Sequence, residues 1–183
     1  IILVYNYGES LYINDIIQAN LPALKAGSTA LFLVVIPIII ELKPFPANGW
    51  GLDMYQATHP LVGSLLSAAS ATASLFVLYK LSPLAGENGK VIIAILGAIS
   101  FLASNLMGLK QKNASRMLGY SSIAQTGLVM VAIGLQPVFG EKTLLIAFSI
   151  LLTHFLAKAG LFWIRGIIGT DDLKSWGKLR NTP

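Results

Sequence analysis

Runs of about twenty predominantly apolar residues recur along this chain, each closed by a short cluster of proline, glycine or lysine, and that recurrence leaves the backbone few options. Hydrocarbon offers no water to satisfy N–H and C=O groups, so a spanning segment must bond internally as a helix or join a closed barrel. Continuous apolar runs of this length, without strand-like alternation, are helices. They extend from about Leu21 to Leu42, Leu61 to Leu81, Val91 to Leu109, Met117 to Gln136 and Thr143 to Ile168. Ile1 to Tyr5 read as the end of a further helix, and Asn6 to Asn20, with Gly8, Glu9 and Asp15, as a polar, turn-rich connection. Lys43-Pro44-Phe45-Pro46 and Asn48-Gly49 interrupt the first full span. The expectation is an all-α, polytopic transmembrane helix bundle of about five spans plus a partial one. Residues 1–183 are expected to form a single transmembrane domain, and the partial helix at Ile1 to Tyr5 reads as that of a fragment of a larger bundle.

Composition agrees: 55% of residues are hydrophobic and 11% charged, where an ordinary soluble domain carries roughly 25% charged. A chain of 183 residues built this way has no room for a separate catalytic module. The absence of cysteine excludes disulfides and thiolate-held iron–sulfur clusters, and two histidines without a carboxylate cluster argue against a structural zinc site. The chain starts at Ile1 without a basic leader, so no signal peptide is readable, which fits an excised fragment.

The basic residues give the orientation. If every span crosses once, one face collects Lys43, Lys110, Lys112, Arg116, Arg165, Lys174, Lys178 and Arg180, and the other Lys25, Lys80, Lys90 and Lys142. The richer face is cytoplasmic by the positive-inside rule. The net charge of +5 then reflects topology and contact with an anionic lipid bilayer, not nucleic acid. Trp50, Tyr55, Tyr79 and Trp163, near span ends, read as interfacial anchors.

Ionisable groups inside these spans are the place to seek function, because each costs several kcal/mol at membrane depth. His154 and Lys158 lie four residues apart in one span, on one helical face. A lysine so placed can take up and release a proton, or its stem can snorkel to the interface. His154 can relay protons or hold two helices together. Glu41, beside the interrupted helix, either lines an ion site or ends the helix at the interface. Ser67 and Ser70 in the run GSLLSAASATAS favour close helix approach, and Tyr120, Ser121, Ser122 and Gln125 can hydrogen-bond water or neighbouring helices. His59, next to Pro60, reads as a loop or interface residue and not as a proton carrier.

Three stretches, in order, carry a resemblance. Pro46-Ala-Asn-Gly-Trp50-Gly-Leu-Asp53-Met-Tyr55-Gln56, followed by His59-Pro60, is the first. Lys110-Gln-Lys-Asn113-Ala-Ser-Arg116-Met-Leu-Gly-Tyr120-Ser121-Ser122-Ile-Ala-Gln125 is the second. Thr153-His154-Phe-Leu-Ala-Lys158-Ala-Gly-Leu-Phe162 is the third. Together they resemble the antiporter-like membrane subunits of respiratory complex I (NADH:quinone oxidoreductase), a family shared with multisubunit cation/proton antiporters and membrane-bound hydrogenases. The Asp-Met-Tyr-Gln segment is similar to the subunit called N or two, the His-x-x-x-Lys helix to the larger antiporter-like subunits.

The resemblance implies proton or sodium translocation as a subunit of a redox-driven complex, in a prokaryotic cytoplasmic membrane or an organellar energy-transducing one. It implies that Lys158 and His154 belong to a hydrated polar axis along the membrane midplane. The expected proton path then runs through Lys158, His154 and Glu41, with Glu41 as charge partner of Lys158 and with Lys43, Ser67, Ser70, Tyr120, Ser121, Ser122, Gln125 and Thr153 as supporting polar groups. Other membrane subunits would be the partners. No cofactor is expected in this chain; NADH, flavin, iron–sulfur clusters and quinone would belong to the partners. The same resemblance admits a structural subunit that has lost pumping, or a stand-alone cation/proton antiporter subunit. Two departures bear on that choice: Glu41 stands where the family usually has the lysine of its interrupted helix, and Ala71 near a usual lysine or histidine position.

Overall fold

The computed structural model describes residues 2–18 and 25–177, all of whose regular elements are helical. In chain order these are α1 (Ile2–Gly8), α2 (Ile13–Gln18), α3 (Lys25–Glu41), α4 (Gly49–Ala57), α5 (Pro60–Leu65), α6 (Ala71–Leu81), α7 (Gly86–Gly108), α8 (Ala114–Gly134), α9 (Gln136–Phe139), α10 (Lys142–Ile168) and α11 (Leu173–Trp176). A π-helical turn, Leu66–Ser70, joins α5 to α6, and a 3-10 turn, Ser82–Ala85, leads into α7.

Three helical runs among the described residues are long and apolar enough to cross a membrane: Pro60–Gly108, Ala114–Gly134 and Lys142–Ile168. The first, at 49 residues, would extend about 70 Å if straight, more than twice the hydrocarbon thickness of about 30 Å. It folds back at Gly86, whose φ of +63° lies in the region that favours glycine, and so makes two crossings. Asn88 and Gly89 lie inside α7 rather than in the connection, because the 3-10 turn through Pro83 together with Gly86 already supplies the break. The polar stretch 6–20 contains α2, contrary to its reading as a plain connection; Ile16 is buried there with Val4 and Leu84. Residues 19–20 of the expected connection and 21–24 of the first expected span lie outside the described residues.

α8 is the central pillar. It packs against α7, α10 and α4 and is buried nearly all round. Glycines let α7 approach it closely: a Cβ at Gly97 would fall 2.5 Å from the Gly127 carbonyl oxygen, and one at Gly134 2.5 Å from that of Lys90. No side chain fits there. Around the pillar, α7 and α10 turn Ile92, Ile95, Leu102 and Leu106, and Leu145, Phe148, Leu156 and Ile167, outward. Such faces suit lipid, which is as apolar as leucine.

Polar contacts tie the connections at both ends of the bundle. At one, Arg116 meets Asp53 at 2.7 Å, Arg165 meets Asp171 at 2.7 Å, and the Leu173 amide donates to the Lys112 carbonyl at 3.1 Å. At the other, Lys90 lies 3.5 Å from Glu87 and the Ser82 hydroxyl donates to Gln136 at 3.2 Å. Two residues depart from their expected places. Lys43 is buried at 4% exposure and does not act as a flank charge, and Tyr55 is no interfacial anchor but a core residue stacked 5.8 Å from Phe162. Lys178 and Arg180 lie outside the described residues.

Candidate functional site

One face of α10 is buried: Thr143, Ala147, His154, Lys158 and Phe162 point inward while their neighbours face out. The spacing of three to four residues per turn makes this a single seam. It puts His154 at 4% and Lys158 at 3% exposure, so the lysine does not snorkel. Lys158 Nζ donates to the Leu118 carbonyl of α8 at 3.1 Å. Among the described residues no carboxylate pairs with it, and Glu41 is not its charge partner.

His154 is held from two helices. Its Nε2 lies 3.1 Å from the Ser67 carbonyl and 3.4 Å from the Ser122 hydroxyl, and the Ser67 and Ser122 hydroxyls lie 2.8 Å apart. A carbonyl only accepts, so Nε2 carries the proton and donates to Ser67. Nδ1 is then the bare nitrogen, and among the described residues it has no hydrogen-bond partner. Ser67 sits in the π turn, where the wider backbone departs from regular α-helical pairing; such turns often mark functional sites.

Glu41 forms a second cluster. The Ser70 hydroxyl donates to its Oε1 at 2.7 Å, and Lys43 Nζ donates to its carbonyl oxygen at 2.7 Å and lies 3.4 Å from Oε1. Lys43 reaches back because its own backbone is left-handed, φ 58°, a conformation that costs a non-glycine residue roughly 1–2 kcal/mol. The ammonium lies 4.7 Å from the centroid of the Trp50 ring, and the stem packs against the bare Cα of Gly51. The Phe45 amide donates to Ser100 at 3.0 Å, well inside α7. The interruption after α3 therefore lies alongside the middles of α7 and the Pro60–Leu81 run, and Glu41 does not end its helix at an interface.

The remaining expected residues divide. Tyr120 is buried with Leu52 and Ile123, whereas Ser121 is exposed and Thr153, also exposed, bonds back to the Ser149 carbonyl at 3.0 Å. Gln125 is half-buried and makes no hydrogen bond with His154 or Lys158 among the described residues. Ala71 is core. His59 caps α5, its Nδ1 accepting from the Leu61 amide at 3.3 Å. Sequence reasoning missed the Arg165–Asp171–Ser115 cluster, in which Asp171 accepts from Arg165 Nε at 2.8 Å and from Ser115 at 2.7 Å. No local pattern announces it, since Asp171 and Ser115 lie 56 positions apart.

Comparison with known proteins gives a consistent result. The family described as NADH:quinone oxidoreductase/Mrp antiporter, transmembrane, matches residues 1–182. NADH-quinone oxidoreductase subunit N of Desulforamulus reducens is 30% identical over 192 residues, covering 97% of this chain and 39% of that protein. Subunit N 1 of Roseiflexus castenholzii is 33% identical over 177 residues, covering 82% of this chain and 32% of that one. NAD(P)H-quinone oxidoreductase subunit 2, chloroplastic, of Mesostigma viride is 29% identical, covering 84% and 32%. This chain thus spans between about a third and two fifths of the length of these relatives. A chain in the solved structure of the membrane-bound sulfane sulfur reductase, an archaeal respiratory membrane complex, shares the fold with a TM-score of 0.76 at 24% identity, covering 94% of this chain and 37% of that one.

Proposed function

This chain belongs to the NADH:quinone oxidoreductase/Mrp antiporter transmembrane family, and from that premise we propose that it translocates protons (or sodium) as a membrane subunit of a redox-driven, NADH:quinone oxidoreductase-type complex. The observation that carries this reading is the buried pair on α10: an amine without a carboxylate partner among the described residues, one helical turn from an imidazole with an unpartnered nitrogen. A charge uncompensated at membrane depth responds strongly to any other charge that appears nearby, because the low dielectric screens little.

In this reading Lys158 Nζ gives up and regains a proton while the Leu118 carbonyl keeps it oriented. His154 takes a proton at Nδ1, with Nε2 anchored on Ser67. The two share a face, so a proton passes between them over one turn of α10, through water or directly. Oxidation and reduction take place in partner subunits; NADH, flavin, iron–sulfur clusters and quinone belong there, and a chain without cysteine offers no thiolate for a cluster. The host membrane is the cytoplasmic membrane of a prokaryote or an organellar one; the relatives include bacterial and chloroplastic proteins.

The test is Lys158→Ala in the assembled complex, reconstituted in vesicles and driven by its own electron donor. Pumping is lost while the subunit content stays that of the wild type. Full ion-coupled turnover in the assembled variant overturns the reading.

A further inference from the structure

The Glu41 cluster has the makings of a small cation site, and it already contains a cation. Where α3 ends, the Glu41 carbonyl is turned away from helical pairing; its carboxylate lies beside it, and Ser70 faces the same carboxylate oxygen. Carbonyls at interrupted helices, with a nearby carboxylate, are how membrane proteins replace the hydration shell of a monovalent metal ion. Here Lys43 Nζ stands 2.7 Å from the carbonyl oxygen and 3.4 Å from the carboxylate oxygen. The Trp50 ring adds an electron-rich face 4.7 Å away, a surface that favours an ammonium.

We propose that Lys43 is a tethered cation that fills a monovalent-metal position formed by the Glu41 carbonyl and carboxylate, and that it is the specificity element that keeps Na⁺ out of the interrupted helix. The assignment deepens the translocation reading above by choosing H⁺ over Na⁺ at this site. Three features serve the tether: the left-handed φ of 58° that turns the side chain back along its own helix end, the burial of the whole lysine, and the bare Cα of Gly51, where any Cβ would collide with the lysine stem. An ammonium bound by its own stem cannot leave, and so loses no translational freedom on binding. A free Na⁺ must displace it and be dehydrated as well.

Binding of radiolabelled Na⁺ to the purified, assembled complex tests this without reference to transport. In Lys43→Ala an additional saturable equivalent of Na⁺ binds, and it is lost again when Glu41→Gln is added. Gly51→Ala, which keeps the charge but evicts the stem, gains the same Glu41-dependent binding. Absence of the gain in both assembled variants overturns the proposal, as does a gain that survives Glu41→Gln. Wild-type complex that binds Na⁺ in a Glu41-dependent way overturns it outright, even if neither Lys43 nor Gly51 variants assemble. Because the readout is binding, its failure is separate from a failure of Lys158→Ala to stop pumping.

Discussion

His154 Nε2 and the carbonyl oxygen of Ser67, 87 positions apart in sequence, meet at 3.1 Å across the buried seam of the bundle. The contact ties α10 to the π turn before α6, and Ser122 of α8 joins it through hydroxyls 2.8 Å apart. Three crossings thus converge on one imidazole.

Ser122→Ala removes the bridge and leaves the anchor. Interhelical hydrogen bonds in membranes average about 0.6 kcal/mol, so stability falls by less than about 1 kcal/mol. Proton translocation slows more than that small change suggests, since the ring loses one of its two fixed neighbours. Unfolding in graded denaturing detergent, paired with redox-driven acidification of vesicles, separates the two effects. An unchanged pumping rate at reduced stability would mean that Ser122 is only a packing residue.

Gly127→Leu strikes the α7–α8 contact. A Cβ at this position would lie 2.7 Å from the Gly97 carbonyl oxygen and 2.9 Å from the Phe101 amide nitrogen, so the helices must separate. Overpacking of this kind costs about 1–3 kcal/mol. The detergent midpoint drops accordingly, whereas Gly160→Leu, on an open stretch of α10 where a Cβ meets nothing, leaves it near the wild-type value.

Spans were legible because hydropathy and turn residues are local. Leu61 to Leu81 and Thr143 to Ile168 match Pro60–Leu81 and Lys142–Ile168 closely. The face shared by His154 and Lys158 follows from helical spacing alone. What could not be read depends on partners far along the chain. Gly97, Gly127 and Gly134 carry the close approach of α7 and α8, yet in the sequence only the small-residue run 63–74 reads as a packing face, because a lone glycine in an apolar run says nothing of what lies opposite. Tyr55 reads as an interfacial residue until Phe162 and Gly119 are seen to enclose it. Lys43 looked like a flank charge because its left-handed backbone, not its neighbours in sequence, sends it inward.

Asp53 illustrates a motif residue that contributes little stability. Its carboxylate is 72% exposed, 2.7 Å from Arg116, and exposed ion pairs contribute about 0–1 kcal/mol. Asp53→Asn shifts the unfolding midpoint marginally, and Gln56, 2.9 Å from the same guanidinium nitrogen, keeps Arg116 in place. A large loss of stability would show that Asp53 contacts something beyond Arg116.

Asp171 gives a pH dependence. Hydrogen bonds from Arg165, and then from Ser115, hold its carboxyl below the ordinary value near 3.8. A carboxylate whose folded pKa is depressed stabilises the fold fully above its unfolded value, and that contribution is lost as pH falls through the lowered one. Wild type therefore loses more stability than Asp171→Asn when the pH is lowered from neutral to below that range. Melting curves of both proteins at matched pH decide it; parallel acid sensitivity would contradict the assignment.

Lys158 carries the central claim, and Lys158→Arg tests it most directly. Arginine keeps the positive charge and can still donate to the Leu118 carbonyl, but it does not release a proton under any accessible condition. Redox-driven proton uptake by vesicles containing the assembled Lys158→Arg complex, normalised to subunit content, is predicted to fall to that of Lys158→Ala. Wild-type uptake in the arginine variant would show that the site needs only a fixed charge, and would contradict proton exchange at Lys158.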